Sequence, residues 1–261
     1  MNDAGRMFSD GKACERMMGR WSRAVGEQFL GWLNVTKGQR WLDVGCGNGA
    51  FTELLIARMS PTEVMAIDPS DGQIAYARTR AGASTAQFRI GDAQELPYAD
   101  GHFDAAAMAL VISFIPNPAK AVAEMARVVR PGGLVAAYMW DFDGGVPLQP
   151  FTAAMKAMGL PVNLPPSSAV ATLDNMRTLW EQAGLVGIDT TVIRIKVGFD
   201  DFEDFWTSNA VPIGPQGKAI SEMSPAKRDE LRARLREALP VGKDGRIAYE
   251  AFANAVKGKK K

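Results

Sequence analysis

The chain has 261 residues, 47% of them hydrophobic and 23% charged, with a net charge of +1. These are ordinary globular values, which allow a well-filled core and argue against disorder or a broad electrostatic footprint for nucleic acid. Cys14 and Cys46 lack metal-ligand spacing, no apolar run spans a bilayer and no secretory signal is read, so one cytoplasmic domain without metal or membrane contact is expected.

Residues 1–38 read as a helical arm. Gly19-Arg20-Trp21-Ser22-Arg23 leads into Ala24 to Leu33, with apolar residues at helical spacing suited to packing on a sheet. Residues 39–141 then alternate strand and helix. Trp41-Leu42-Asp43-Val44 is an apolar strand that runs into Gly45-Cys46-Gly47-Asn48-Gly49, and Ala50 opens a helix. Three alternating glycines let the backbone turn and approach a ligand closely, while free N–H groups at the helix start suit a nucleotide cofactor. Asp43 stands beside that turn, where it either meets the cofactor or accepts from loop amides.

The second strand, Val64 to Ile67, ends at Asp68, a position from which a carboxylate can accept from both hydroxyls of a ribose. Gly45-x-Gly47-x-x-Ala50 also satisfies the dinucleotide fingerprint, so at this point a nicotinamide cofactor remains open. The third strand, Phe88-Arg89-Ile90, ends at Gly91-Asp92-Ala93. This third acid suits an adenine amino group, and acids at three successive strand ends suit a cationic ligand.

The only histidine, His102, falls in a turn before the fourth strand, at the end opposite the expected cofactor, and reads as a surface residue. The fourth strand, Phe103 to Leu110, leads into Val111 to Phe114. A helix from Ala119 to Val129 stops at Pro131-Gly132-Gly133, and a fifth strand runs from Leu134 to Trp140.

The pattern changes beyond residue 141. Segments 142–174 and 199–240 read as helical insertions: a short amphipathic helix from Phe151 to Met158 among prolines, then an aromatic segment with Phe202, Phe205 and Trp206, a break at Pro212 to Pro215, and a charged helix from Pro225. Between and after them, 175–198 and 241–261 complete the core. They carry a helix from Asn175 to Ala183 ended by Gly184, a strand from Ile188 to Val197 and a last strand from Ile247 to Val256. The basic tail Lys257 to Lys261 reads as a solvated end.

Asp43 to Gly49, Asp68-Pro69-Ser70, Gly91-Asp92-Ala93, the strand from Phe103 to Leu110 and Arg130-Pro131-Gly132-Gly133-Leu134, in that order and spacing, closely resemble the class I S-adenosylmethionine-dependent methyltransferases, specifically the type 11 small-molecule group. The resemblance covers roughly residues 20 to 140. It implies an α/β, Rossmann-like, mostly parallel sheet with helices on both faces, an antiparallel last strand at the far side, and helical lids. It also implies S-adenosylmethionine as cofactor, with S-adenosylhomocysteine as product. Carried over, the methionine part falls to Asp43, Gly45, Gly47, Asn48 and Gly49. The ribose falls to Asp68, with Pro69, Ser70 and Gln73 beside it, and the adenine to Asp92 and Ala93, with Leu110 at the end of the fourth strand. Arg20 and Trp21 are candidates for closing over the methionine end, although packing suits them equally.

The ends of the fourth and fifth strands should then border the sulfonium, which puts Phe114 and Trp140 on the acceptor side together with Tyr138 and Asp141. The last two could assist if the acceptor must lose a proton. Phe151, Met155, Phe205 and Trp206 could line an apolar acceptor pocket, although burial is the commoner fate of such residues. The function expected is methyl transfer to a small molecule by in-line displacement, in a monomer or homodimer, with no nucleic acid, because Phe114-Ile115-Pro116-Asn117-Pro118 occupies the place of the Pro-Pro-aromatic run of base-modifying relatives. The alternatives are an NAD-dependent oxidoreductase and a non-catalytic cofactor-binding module.

Overall fold

The computed structural model describes residues 19–210 and 214–261. Its strands are β1 (Arg40–Val44), β2 (Glu63–Asp68), β3 (Gln87–Ile90), β4 (Phe103–Ala109), β5 (Val129–Trp140), β6 (Val186–Phe199) and β7 (Ile247–Lys259). They form one sheet in the order β3-β2-β1-β4-β5-β7-β6. The first five are parallel, and β7 runs antiparallel to both β5 and β6. Strands β4 and β5 are buried along most of their length, as expected for parallel strands covered on both faces, whereas the edge strand β3 has only four residues and is largely exposed.

Helices α1 (Arg20–Leu33) and α2 (Ala50–Met59) cover one face of the sheet, packed through Phe29, Leu30, Leu54 and Leu55. The same apolar layer continues into the insertions, α5 (Gln149–Ala157), α7 (Phe202–Asn209), α8 (Gly214–Ser221) and α9 (Pro225–Ala238). Helices α4 (Pro118–Val128) and α6 (Leu173–Gln182) cover the opposite face through Val122, Met125, Met176 and Trp180, and α3 (Asp71–Ala77) packs Ile74 beside Cys46 and Ala66. Local sequence sets the helix starts: Ser70, Asn117, Thr172 and Ser224 each accept a backbone N–H of the helix they cap, with Pro118 and Pro225 in the first turns of their helices.

Strand β7 is antiparallel at the far side of the sheet, as expected, between β5 and the edge strand β6. Two other expectations need correction. Strand β7 extends through Lys259, and the basic tail is not a solvated end: Lys257 Nζ donates to Trp32 O at 2.8 Å and stands 4.3 Å from the Trp32 ring centroid, while Lys260 Nζ donates to Arg127 O at 3.0 Å. In addition, β5 begins at Val129, so the Pro131-Gly132-Gly133 stretch expected as a helix stop lies inside the strand. His102, just before β4, is half-buried, with its ring 4.7 Å from that of Phe103 and 3.2 Å from Glu63 Oε2.

Cys14, Met17, Met18 and the Pro212-Ile213 part of the expected break lie outside the described residues, as does the side chain of Arg20. No helix among the described residues is long and apolar enough to cross a membrane.

Candidate cofactor and acceptor site

The glycine loop leaves β1 and is tied to its neighbour strand, Gly45 N and Cys46 N both donating to Ile67 O at 2.8 and 3.0 Å. Gly45 has φ +72°, and a Cβ there would come within 2.5 Å of Val111, so only glycine lets the turn pass under the end of β4. Gly47, at φ +51°, is different: a Cβ would meet nothing within 4 Å. Its positive φ, not crowding, is what favours glycine there. Asn48 Oδ1 accepts from Ala50 N at 3.2 Å and Gly49 caps α2.

Two acids sit under this loop. Asp43 is fully buried, and its Oδ2 accepts from Thr52 Oγ1 at 2.6 Å, while Oδ1 has no partner among the described residues. Burial pushes its carboxyl up to about 7, against the pull of Thr52 and with a smaller contribution from the charge of Asp68. Asp68 is 8% exposed, with Oδ2 accepting from Gly47 N and Oδ1 from Ser70 N, both at 2.9 Å. Burial raises its pKa too, and those two backbone donors oppose the shift. Each Asp68 oxygen holds one backbone donor and has capacity for a second.

Ser70 and Gln73 are buried around Asp68, Gln73 N donating to Ser70 Oγ at 3.3 Å, and Pro69 is exposed. Asp92 is exposed beyond β3, where its carboxylate accepts from the backbone and side chain of Gln94 at 2.8 and 3.1 Å, and Ala93 beside it packs on the core. Leu110 follows β4 with φ +61°, and its N–H donates to Tyr138 O at 2.9 Å. The expected cofactor residues from β1, β2 and β3 thus converge at one end of the sheet, beside the β4 end.

Several acceptor-side expectations resolve into packing. Tyr138 is 1% exposed, wedged 4.6 Å from the Phe29 ring and 6.0 Å from that of Phe51. Burial, reinforced by nearby Asp43, pushes its phenol above the ordinary range. Asp141 is a loop anchor: Oδ1 accepts from Asp143 N and Oδ2 from Asn254 Nδ2, both at 2.8 Å. Trp21 is buried edge-on against Phe199 at 5.7 Å. Phe151 stacks on Phe205 at 5.1 Å and lies 5.6 Å from Trp206, and all three are buried with Met155. They join the two insertions to each other. Arg232 and Arg236 of α9 pin α7 by sharing Glu203 Oε1 at 2.5 and 2.8 Å, with Arg236 lying 4.1 Å over Phe202.

Phe114 remains half-buried in the turn after β4. Trp140 is 5% exposed at the ligand end of β5, and its indole Nε1–H has no hydrogen-bond partner among the described residues. By contrast, the buried indole of Trp180 donates to Val135 O at 2.9 Å.

Sequence reasoning missed Thr52 and Asn254. Thr52 is the one hydroxyl within the apolar run of α2. Asn254 is buried in β7 and ties Asp141 to Ala171 O, a link across 83 residues that no local pattern announces. A cavity of about 360 Å³ lined by Asn34, Thr36, Asp104, Arg130 and Lys257 opens at the opposite end of the sheet. Among the described residues no group of three or more His, Cys, Asp or Glu could hold a metal.

A parallel sheet whose first strand enters a glycine loop above two buried acids defines a nucleotide-cofactor α/β protein, and the antiparallel β7 departs from the all-parallel 3-2-1-4-5-6 order of dinucleotide folds. Residues 42–137 match the family described as the methyltransferase domain. A malonyl-[acyl-carrier protein] O-methyltransferase of Serratia marcescens is 34% identical over 113 residues, 43% of each chain. The O-methyltransferase rstn1 of Aspergillus nomiae is 30% identical over 179 residues, 67% of this chain and 75% of that one. The present chain therefore spans under half the length of the first relative and three-quarters of the second. The fold matches an S-adenosylmethionine-dependent methyltransferase of Thermotoga maritima with a TM-score of 0.61 at 18% identity, over 99% of this chain and 100% of that one. The chain belongs to the class I S-adenosylmethionine-dependent methyltransferases.

Proposed function

We propose that the protein transfers the methyl group of S-adenosylmethionine to a small-molecule acceptor by direct in-line displacement. The observation that carries this reading is the convergence of the Gly47 backbone with Asp68 and with the Oδ1 of Asp43, which has no partner among the described residues. Such a site fits a ligand that combines ribose hydroxyls with positive charge. The spare lone pairs of Asp68 take the ribose hydroxyls, the glycine-loop amides and the start of α2 face the methionine end, and Asp92 and Ala93 border the adenine. Bound there, the cofactor supplies an activated methyl on a sulfonium.

On the acceptor side the protein supplies orientation and exclusion of water. Phe114, half-buried after β4, and the indole N–H of Trp140, which has no partner among the described residues, are the groups assigned to orient an acceptor oxygen or nitrogen. With Tyr138 buried and Asp141 engaged, no side chain is assigned as base. The apolar surroundings support a small, largely apolar acceptor, and the near-neutral charge supports the absence of nucleic acid.

The test is calorimetric titration of S-adenosylmethionine, S-adenosylhomocysteine and NAD into wild type and Asp68→Ala, followed by an acceptor screen. Binding of the first two, lost in the variant, is expected. Binding of NAD alone would overturn the reading, and cofactor binding with no product across acceptors would favour a non-catalytic module.

A further inference from the structure

We propose that Arg80 is the positioning residue of the cofactor loop, holding it in shape from behind; this rests on the methyltransferase reading above. Arg80 lies beyond α3, 32 residues from the loop it touches, and its side chain is only 13% exposed. Its Nε donates to Asn48 O at 2.6 Å and its Nη1 to Glu53 Oε2 at 2.9 Å, with the guanidinium 5.6 Å from the Tyr76 ring centroid. These two partners, among those Arg80 has, are the peptide carbonyl at the crown of the glycine loop and a carboxylate in the first turn of α2. One planar fork therefore spans the junction between loop and helix.

The consequence follows from peptide geometry. A planar trans peptide points its C=O and the next N–H in opposite directions. Holding Asn48 O toward Arg80 thus turns Gly49 N–H inward, where it donates to Cys46 O at 2.9 Å and closes the loop. Glu53 is held from a second side by close packing, because a Cβ on Gly82 would come within 2.3 Å of Glu53 Oε1. The segment from Arg80 to Gly82 is accordingly bolted to the outside of the cofactor loop. Without the bolt the glycines, chosen for backbone freedom, would sample other turns, and cofactor binding would have to select the competent one.

Arg78 offers an internal control. It stands two residues away and donates to Phe88 O at 2.8 Å, without reaching the glycine loop. S-adenosylhomocysteine is titrated into wild type, Arg80→Ala, Arg80→Lys and Arg78→Ala, with a thermal melt of each. Arg80→Ala should weaken binding about tenfold, about 1.4 kcal/mol, and millimolar ethylguanidinium should recover part of the loss. Arg80→Lys should fall between the two, because an ammonium pairs with Glu53 but cannot span both partners. Arg78→Ala should stay within twofold of wild type.

Binding by Arg80→Ala within twofold of wild type would overturn the proposal, as would an equal loss in Arg78→Ala or a loss that ethylguanidinium leaves unmoved. If Arg80→Ala does not fold, Arg80→Lys decides: a threefold or larger loss supports the clamp, and unchanged affinity overturns it. Wild type that fails to bind S-adenosylhomocysteine removes both readings, whereas wild-type binding with an indifferent Arg80→Ala removes this one alone.

Discussion

The two ends of the sheet treat acids in opposite ways. At the amino-terminal end, Asp104 is enclosed by cations: Arg40 donates through its backbone and side chain at 2.8 and 3.3 Å, and Arg130 Nε at 2.6 Å. Partial burial alone would raise that carboxyl, but these bonds overcome it and hold Asp104 well below the usual carboxylate range. At the carboxyl-terminal end, Asp43 and Asp68 are buried more deeply, take only neutral donors and are raised. Asp104 has its charge answered by the protein, whereas Asp43 keeps an oxygen without a partner among the described residues, at the place where the cofactor is proposed to bind. An acid that staples a fold and one reserved for a ligand are thus distinguished by who supplies the counter-charge.

Substitutions at the two ends should separate these roles. The largest effect is expected for Asp68→Ala, which should weaken S-adenosylhomocysteine binding by about a hundredfold or more, ~2.7 kcal/mol, in calorimetric titration. Gly45→Ala should cost about 2–4 kcal/mol of stability in a urea melt, because the new Cβ meets Val111 on a backbone that side chains avoid. A Gly45→Ala protein as stable as wild type would mean that β4 can withdraw from the loop.

Asp43→Asn tests the ligand end by pH. A carboxyl raised to about 7 in the fold binds its proton more tightly folded than unfolded, so its ionisation removes stability as pH rises from about 4 through about 7. The variant should lose that decline and gain on the order of 1–3 kcal/mol over wild type at pH 8 relative to pH 4, read by chemical denaturation. Asp104→Asn should do the reverse at the other end. Its depressed carboxyl contributes stability above the unfolded value near 4, lost as pH falls below it, so the variant should be about 1–2 kcal/mol less stable at pH 7 and flatter in acid, with cofactor affinity unchanged. Equal effects of both variants on cofactor affinity would dissolve the contrast.

What was legible in the sequence was short in range. The run from Trp41 through Gly49 to Ala50 carries its strand, turn and helix in ten residues, and Asp68 and Asp92 follow at strand ends one unit apart, so the order of motifs suffices for the cofactor end. The acceptor end was less legible, because a strand-end aromatic looks the same whether it meets a ligand or a helix. Tyr138 became core because α1 brings Phe29 against it, a contact between residues more than a hundred apart. Phe151 and Phe205 likewise found each other across two insertions. The lysines after Val256 looked like a solvated tail because charge outweighs strand pattern locally, but their sheet partners in β5 and β6 hold them in register. Arg80 carried no signal, since its partners are a backbone carbonyl and a helix-start acid.

The place of β7 between β5 and β6 bears on how the molecule is made. Strand β6 ends at Phe199 and β7 at Lys259, so β6 waits through the synthesis of sixty more residues before its one neighbour among the described residues is complete. At about 5–20 residues per second that is roughly 3–12 s. Through that interval the nascent chain carries an open β5 edge and an unpaired fourteen-residue strand, the two features that invite misassociation. A stalled ribosome near residue 240 would therefore display a nearly finished cofactor half whose sheet ends in a sticky edge.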